Sequence, residues 1–199
     1  MNENTGLTRP SRILLLDDER LILATLGRGL RSAGFEVLTA ESVEEAQGHL
    51  STSERPDLAI LDVNLPGSSG LEFALRLREL DRIPFLMLSA YSEPAYVEQA
   101  AQCGALAYLV KPIDVLQLVP EVHAALARAT EIKELRDARE QLQKALDSER
   151  DISMAVGVLI VQRRIPRKAA FEWLRQSARQ QRRRIALVAA DLVREAEGV

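Results

Sequence analysis

Five short apolar runs recur within the first 111 residues, each separated from the next by a stretch whose apolar residues fall at helical spacing. Apart from Arg12, Glu36 and Thr39, the runs Arg12 to Leu16, Phe35 to Thr39, Leu58 to Leu61, Phe85 to Leu88 and Leu106 to Val110 are hydrophobic throughout instead of alternating, and read as strands buried on both faces. The segments between them, near 20 to 32, 42 to 53, 70 to 79, 94 to 103 and 114 to 129, read as helices. Crossovers of this length join parallel strands. The expected fold is therefore an α/β domain, a doubly wound five-stranded parallel sheet with helices on both faces, whose site lies at the carboxyl ends of the strands.

The remainder of the chain has a different grammar. From Asp114 to Arg150 there is no glycine, and Pro120 is the only proline. Ile132, Leu135, Leu142 and Leu146 follow a 3-4 spacing among charged residues, which predicts a long helix with a short coiled-coil stripe interrupted at Arg139 and Glu149. Ile152 to Val161, Lys168 to Ala178 and Ile185 to Glu195 each read as an amphipathic helix, with Pro166 marking the first break. Three regions follow: an α/β domain over 10–128, a helical coiled-coil linker over 129–150, and a small three-helix all-α domain over 151–197.

Charge divides along the same lines. Residues 1–130 carry 11 Lys/Arg against 18 Asp/Glu, residues 131–149 carry 4 against 6, and residues 150–199 carry 11 against 5. A basic domain behind an acidic one points to a polyanionic partner for the second. Cys103 is the only cysteine, which excludes a disulfide framework and a four-sulfur metal site and makes a reducing cytoplasm the default. Met1 to Pro10 has no apolar segment of the export type, and no run approaches the roughly 18 to 20 apolar residues that span a bilayer, so a cytoplasmic protein without membrane contact is expected.

The chemistry gathers at the predicted strand ends. The first strand ends in Asp17-Asp18-Glu19 and the third runs into Asp62. Neighbouring strand ends of a parallel sheet converge on one crevice, and three carboxylates that close are costly unless a cation joins them. A hard, oxygen-seeking ion such as Mg2+ suits the set. The fourth strand ends in Ser89, a hydroxyl donor, and the fifth in Lys111, an ammonium. Carboxylates, a cation, a hydroxyl and a lysine together point to phosphoryl chemistry on one carboxylate.

Asp17-Asp18-Glu19, the run Asp62-Val63-Asn64-Leu65-Pro66-Gly67-Ser68-Ser69-Gly70, Ser89-Ala90 and Lys111-Pro112 resemble the receiver domain of bacterial two-component response regulators, over about residues 10 to 128. The resemblance implies a flavodoxin-like fold with Asp62 as the phosphoacceptor. It implies Mg2+ held by Asp17, Asp18, Asp62 and the backbone carbonyl of Asn64, with Ser89 and Lys111 on the phosphoryl oxygens. Tyr108 takes the aromatic switch position, which turns inward when Ser89 moves to the phosphate. Pro112 matches a cis-proline turn.

The last fifty residues contain Arg163-Arg164, Arg167-Lys168, Arg175, Arg179 and Arg182-Arg183-Arg184, clusters that phosphate backbones attract whatever the base sequence. No zinc-finger, basic-zipper or RNP pattern is present, and the glycine-containing turn expected before a recognition helix is missing. Ile152, Ala155, Gly157, Leu159, Ala170-Phe171, Leu174-Arg175, Ala178, Arg184 and Val188-Ala189 resemble the spaced pattern of the ANTAR domain, found in the AmiR and NasR antitermination regulators. Ile160, where that family usually has methionine, and Ile165-Pro166 before the second helix depart from it. The small residues Ala155, Gly157, Ala170 and Ala178 are expected to let helices pack closely, with Leu159, Phe171 and Leu174 filling the core. RNA contact then falls to Arg163, Arg164, Arg167, Lys168, Arg182, Arg183 and Arg184, with Trp173 as either a packed residue or a base-stacking one.

Together these resemblances imply a regulator phosphorylated by a sensor histidine kinase, dimerising through its linker, and binding RNA hairpins in leader transcripts so that a terminator cannot form. No serine-histidine-aspartate set or cysteine cluster offers an output enzyme, so the expected chemistry is limited to the receiver's own phosphorylation and slow autodephosphorylation. A DNA-binding response regulator and a regulator controlled by a partner sensor protein without phosphorylation are the alternatives. His49 and His123 lack neighbouring ligands, Cys103 reads as a small core residue, and Gly27-Arg28-Gly29 lies inside a helical stretch away from any strand end.

Overall fold

The computed structural model describes residues 9–51, 55–65 and 70–197. The polar stretch up to residue 8, the last part of the helix expected over 42–53, and the Pro66 to Ser69 part of the third-strand motif lie outside the described residues.

The N-terminal unit spans Met1–Ile132. Its strands β1 (Arg12–Leu16), β2 (Glu36–Ala40), β3 (Leu58–Asp62), β4 (Phe85–Ser89) and β5 (Tyr108–Val110) are all parallel, in the order β2-β1-β3-β4-β5. The reversal of winding places β1 beside β3, with Leu16 opposite Leu61. That switch point is where the crevice of a doubly wound sheet opens. The second and fifth strands start later than the apolar runs that predict them. Phe35 instead closes the turn after the preceding helix, its N–H donating to the Leu30 carbonyl at 3.1 Å.

Alternation along each strand sends successive side chains to opposite faces, which gives two cores. Leu14, Leu16, Ala59, Leu61, Phe85 and Met87 pack against α2 (Val43–Leu50), α3 (Gly70–Arg76) and α4 (Pro94–Cys103). Ile13, Leu15, Leu58, Ile60, Leu86 and Leu88 pack against α1 (Arg20–Ser32) and the first turns of α5 (Val115–Arg163). The Ser42 hydroxyl caps α2 by accepting from the Glu45 N–H, and the Asp114 carboxylate does the same for α5 at Gln117. α3 is shorter than its pattern predicts: a π-helical turn over Leu77–Asp81 follows it and stops at Arg82, which is left-handed with φ 53°. Cys103 is buried in the core, the His49 ring contacts the Thr39 carbonyl, and His123 packs on Phe35, so these three have structural surroundings.

The expected helices over 114–129 and 152–161 and the linker between them form one helix, α5, of 49 residues. With no glycine before Gly157 and with Pro120 confined to its second turn, helical propagation runs unbroken from Val115 to Arg163. Leu118, Val122 and Ala125 belong to the N-terminal core. Along the stripe further on, Leu135, Leu142 and Leu146 are 65%, 62% and 52% exposed.

The C-terminal unit spans Lys133–Val199. The end of α5 packs with α6 (Arg167–Gln180) and α7 (Ile185–Glu197) around Ala155, Leu159, Ala170, Leu174, Ala178 and Ala189. Two expectations for this core are corrected. Phe171 does not fill it but is 41% exposed, because its position on α6 lies beside the buried face of Ala170, Leu174 and Ala178 and not within it. Gly157 is exposed, and a Cβ there would meet nothing within 4 Å, so it mediates no close packing inside the unit. Among the described residues no helix is long and apolar enough to cross a membrane.

Candidate functional site

The sheet brings Asp17, just past β1, and Asp62, the last residue of β3, side by side, and both are buried. One side-chain oxygen from each of Asp17, Asp18 and Asp62 lies within 4.8 Å of the others. Lys111, following β5, reaches across with its Nζ 2.7 Å from Asp62 Oδ2 and 2.7 Å from Asp17 Oδ2, and 3.6 Å from Glu19 Oε1. Its contact with Asp62 has hydrogen-bond geometry. Its approach to Asp17 Oδ2, a fully buried oxygen, is at ion-pair distance.

Backbone N–H groups hold the carboxylates from the other side. The Glu19 N–H donates to Asp17 Oδ1 at 2.9 Å and the Asn64 N–H donates to Asp62 Oδ1 at 3.0 Å. Both are turns two residues long that fix a carboxylate rotamer at a strand end. Burial raises the Asp17 carboxyl above the ordinary range, against the opposing pull of Lys111 and the Glu19 N–H. For Lys111, burial alone lowers the ammonium, but its contacts with Asp17 and Asp62 outweigh this and leave it raised and charged. Three carboxylate oxygens, from Asp17, Asp18 and Asp62, within 4.8 Å of one another are the donor set a hard divalent cation takes, and the residues present fit one.

Ser89 is fully buried at the end of β4, with its Oγ accepting from the Tyr91 N–H at 3.1 Å, and its carbonyl accepts from the Lys111 N–H at 2.7 Å. The Lys111-Pro112 peptide is cis. Tyr108 stands on β5 with its hydroxyl donating to the Tyr91 carbonyl at 2.8 Å, and the Tyr91 ring stacks on Tyr96 with centroids 5.1 Å apart. Tyr91 is a residue that sequence reasoning misses. Its one signal is its place two residues past Ser89, where it joins the Ser89 turn to the Tyr108 side chain. Gly70, the first residue of α3, is equally silent in the sequence as a packing element. A Cβ there would come within 2.3 Å of the Asp62 carbonyl, so only glycine lets α3 start this close to the end of β3.

The C-terminal arginines do not form one patch. Arg163, Arg164, Arg167 and Lys168 cluster at the start of α6, and Arg179, Arg182, Arg183 and Arg184 at its end. A helix of 14 residues separates them by about 20 Å. Arg163 lies over the Trp173 ring, 4.1 Å from its centroid, and Trp173 itself is half-buried against the core, so this pair ties α5 to α6. Arg164 sits left-handed at φ 53° in the turn. Arg167 and Lys168 occupy the first turn of α6, whose dipole already attracts anions. Arg183 contacts Asp191 at 2.6 Å, Arg194 contacts the same carboxyl, and these pairs, Arg183 foremost, hold Asp191 below the usual carboxylate range. Arg184 is exposed ahead of α7.

Comparison with known proteins agrees with this division. The response regulator receiver domain family matches residues 13–123, and the ANTAR domain family matches residues 140–193. The transcriptional regulatory protein PdtaR of Mycobacterium tuberculosis is 31% identical over 180 residues, 90% of this chain and 88% of that protein. PrrA, a transcriptional regulatory protein of the same species, is 42% identical over 126 residues, 63% of this chain and 53% of its own length. Among solved structures, a CheY-like receiver domain protein from Methanospirillum hungatei superposes with a TM-score of 0.57 at 25% identity, over 61% of this chain and 98% of that one. CheY4 of Vibrio cholerae gives a TM-score of 0.55 at 30% identity, over 58% and 98%. With a buried carboxylate cluster and lysine at the strand ends of the first unit and the ANTAR pattern on the second, the chain belongs to the two-component response regulators that carry a receiver domain followed by a C-terminal ANTAR domain.

Proposed function

We propose that this response regulator is phosphorylated on Asp62 by a sensor histidine kinase and that phosphorylation controls the binding of its ANTAR domain to RNA hairpins in leader transcripts. The observation that carries the reading is the union, in one chain, of the Asp62 cluster with a basic three-helix unit whose arginines flank α6 at both ends.

In the first step an Asp62 oxygen attacks phosphorus, the bond from phosphorus to the donor's histidine nitrogen breaks, and an acyl phosphate forms on Asp62. Asp17, Asp18, Asp62 and the Asn64 carbonyl would hold Mg2+, which when bound supplies the positive charge that offsets the incoming phosphoryl oxygens. The Asn64 N–H fixes the orientation of Asp62 before attack. Lys111, kept charged by its carboxylate neighbours, exchanges its contact with Asp62 for one with a phosphoryl oxygen. Ser89 turns its hydroxyl to another, which releases the Tyr91 N–H and loosens the segment whose Tyr91 carbonyl holds the Tyr108 hydroxyl. Slow hydrolysis of the acyl phosphate resets the protein, and no other catalysis is assigned to it.

Output follows from association. The exposed Leu135, Leu142 and Leu146 stripe pairs two chains along α5, and the dimer presents two ANTAR units to paired hairpins, keeping a terminator from forming so that transcription continues in the cytoplasm. Sequencing RNA crosslinked to the protein in its own cells tests the reading. Recovery of leader transcripts with hairpins ahead of terminators supports it, and recovery of promoter DNA in place of RNA overturns it.

A further inference from the structure

Phe171 is the one large aromatic side chain on the described surface of α6 that the core leaves in water, at 41% exposure, while Ala170 and Leu174 beside it are fully buried. Arg175 follows it by four residues on the same side of α6, and Arg182 lies just past the helix end. With Phe171, Arg179 and Ile185 they line an open cavity of about 530 Å³. Arg175 touches only Glu172, at 3.4 Å on the open surface, and Arg179 and Arg182 make no ion pair among the described residues. Arg183 at the rim is held by Asp191 and serves as a wall.

The turn carrying Arg182 gives a second observation. The Arg182 N–H donates to the Arg179 carbonyl at 3.1 Å and the Arg183 N–H to the Ala178 carbonyl at 3.0 Å, the paired bonds of a Schellman helix end. The same bond pattern closes α1 at Gly34, with φ 94°, and α4 at Gly104, with φ 88°. Only glycine adopts this conformation without cost, yet here the left-handed residue, at φ 52°, is arginine. The turn carries that strain and holds a guanidinium at the mouth of the cavity. An exposed aromatic face ringed by planar cations is complementary to a flat ring that brings its own negative charge.

We propose that Phe171, Arg175, Arg179 and Arg182 form a pocket for one unpaired nucleobase of an RNA loop, the phenyl ring stacking on the base while the arginines grip its flanking phosphates. The proposal rests on the RNA-binding reading above and deepens it, moving base contact from Trp173, whose ring Arg163 covers, to Phe171. A base inside a duplex cannot offer its face, so the occupant is a looped or single-stranded one. Stacking tolerates any base, so this pocket supplies affinity for an unpaired nucleotide and leaves base identity to other contacts.

The test uses the full chain and a pool of hairpin RNAs that share one stem and carry a randomised loop. Phe171→Ala and Phe171→Leu are expected to weaken binding by about 5- to 150-fold with the salt dependence unchanged, while Phe171→Tyr, which keeps a stacking face, restores it. Arg182→Gly relaxes the turn, so its melting temperature should equal or exceed that of the wild type while affinity falls and the slope of log affinity against log salt flattens by about 0.7. Wild-type binding that survives Phe171→Leu undiminished overturns the pocket and leaves the RNA-binding reading intact. Equal competition by a loop-free duplex of the stem also overturns the pocket. A wild-type chain that retains none of the pool, both before and after treatment with Mg2+ and a phosphodonor, overturns both.

Discussion

Lys111 Nζ lies 2.7 Å from Asp62 Oδ2, so the ammonium proposed to neutralise a phosphoryl group already rests on the carboxylate proposed to receive it. Asp62→Asn should therefore abolish labelling by a small-molecule phosphodonor with Mg2+ while leaving the melting profile cooperative. Lys111→Ala should retain the label and lose its coupling to output. Persistent labelling of the Asp62→Asn protein, measured by intact mass, would contradict the assignment of Asp62.

Burial raises Asp17 against its neighbours, and the sign of its effect on stability follows. A carboxyl whose folded pKa lies above its unfolded value binds protons more tightly when folded, so the cost of its charge is fully present above the folded pKa and shrinks as pH falls from there to the unfolded value, where it is gone. Asp17→Asn should accordingly raise the melting temperature of the cation-free protein at neutral pH, with the advantage shrinking on acidification above the ordinary carboxylate range. The same variant should lose stabilisation by added Mg2+. A melting temperature equally responsive to Mg2+ in both proteins would remove Asp17 from the cation site.

Gly29 offers a packing test independent of the site. Alanine normally stabilises a helix interior relative to glycine by about 1 kcal/mol. Here a Cβ would lie 2.2 and 2.5 Å from the Val115 methyls, because α1 and the start of α5 approach at this point. Gly29→Ala should instead destabilise the receiver by about 1–3 kcal/mol in urea unfolding. Adding Val115→Ala should recover part of the loss, and a stabilising Gly29→Ala would show that the two helices do not pack this closely.

If the α5 stripe is the dimer seam, replacing Leu135 and Leu142 with serine should lower the dimer fraction of the phosphorylated protein in sedimentation, since each fully buried leucine contributes roughly 1.5–3 kcal/mol. An unchanged fraction would place the interface elsewhere.

Much of the receiver can be read from the sequence because its physics is local. Short apolar runs alternating with helical stretches read as the strands of a covered parallel sheet, fully buried at β3 and β4 and partly so at the edges β2 and β5, and the strand ends carry the site, which is how Asp17, Asp62, Ser89 and Lys111 are found. Extent is harder to read. Nothing in the sequence between Val115 and Arg163 distinguishes two helices and a linker from one continuous helix. The C-terminal unit misleads where a single position decides exposure: Phe171 belongs to a pattern of buried residues, yet its angular offset from Leu174 leaves it in water. The separation of the two arginine clusters by the length of α6, and the engagement of Arg163 by Trp173 and of Arg183 by Asp191, depend on tertiary neighbours that charge counting cannot see.

The central claim, that the state of Asp62 governs RNA binding by the ANTAR unit, is tested most directly by titrating the hairpin pool with the full chain before and after treatment with Mg2+ and a phosphodonor, in parallel with Asp62→Asn. Wild-type affinity should tighten by about 5- to 150-fold, the range of ordinary coupling between two sites, while Asp62→Asn stays at the untreated level. An equal response in both proteins, or RNA affinity indifferent to treatment of the wild type, would contradict it.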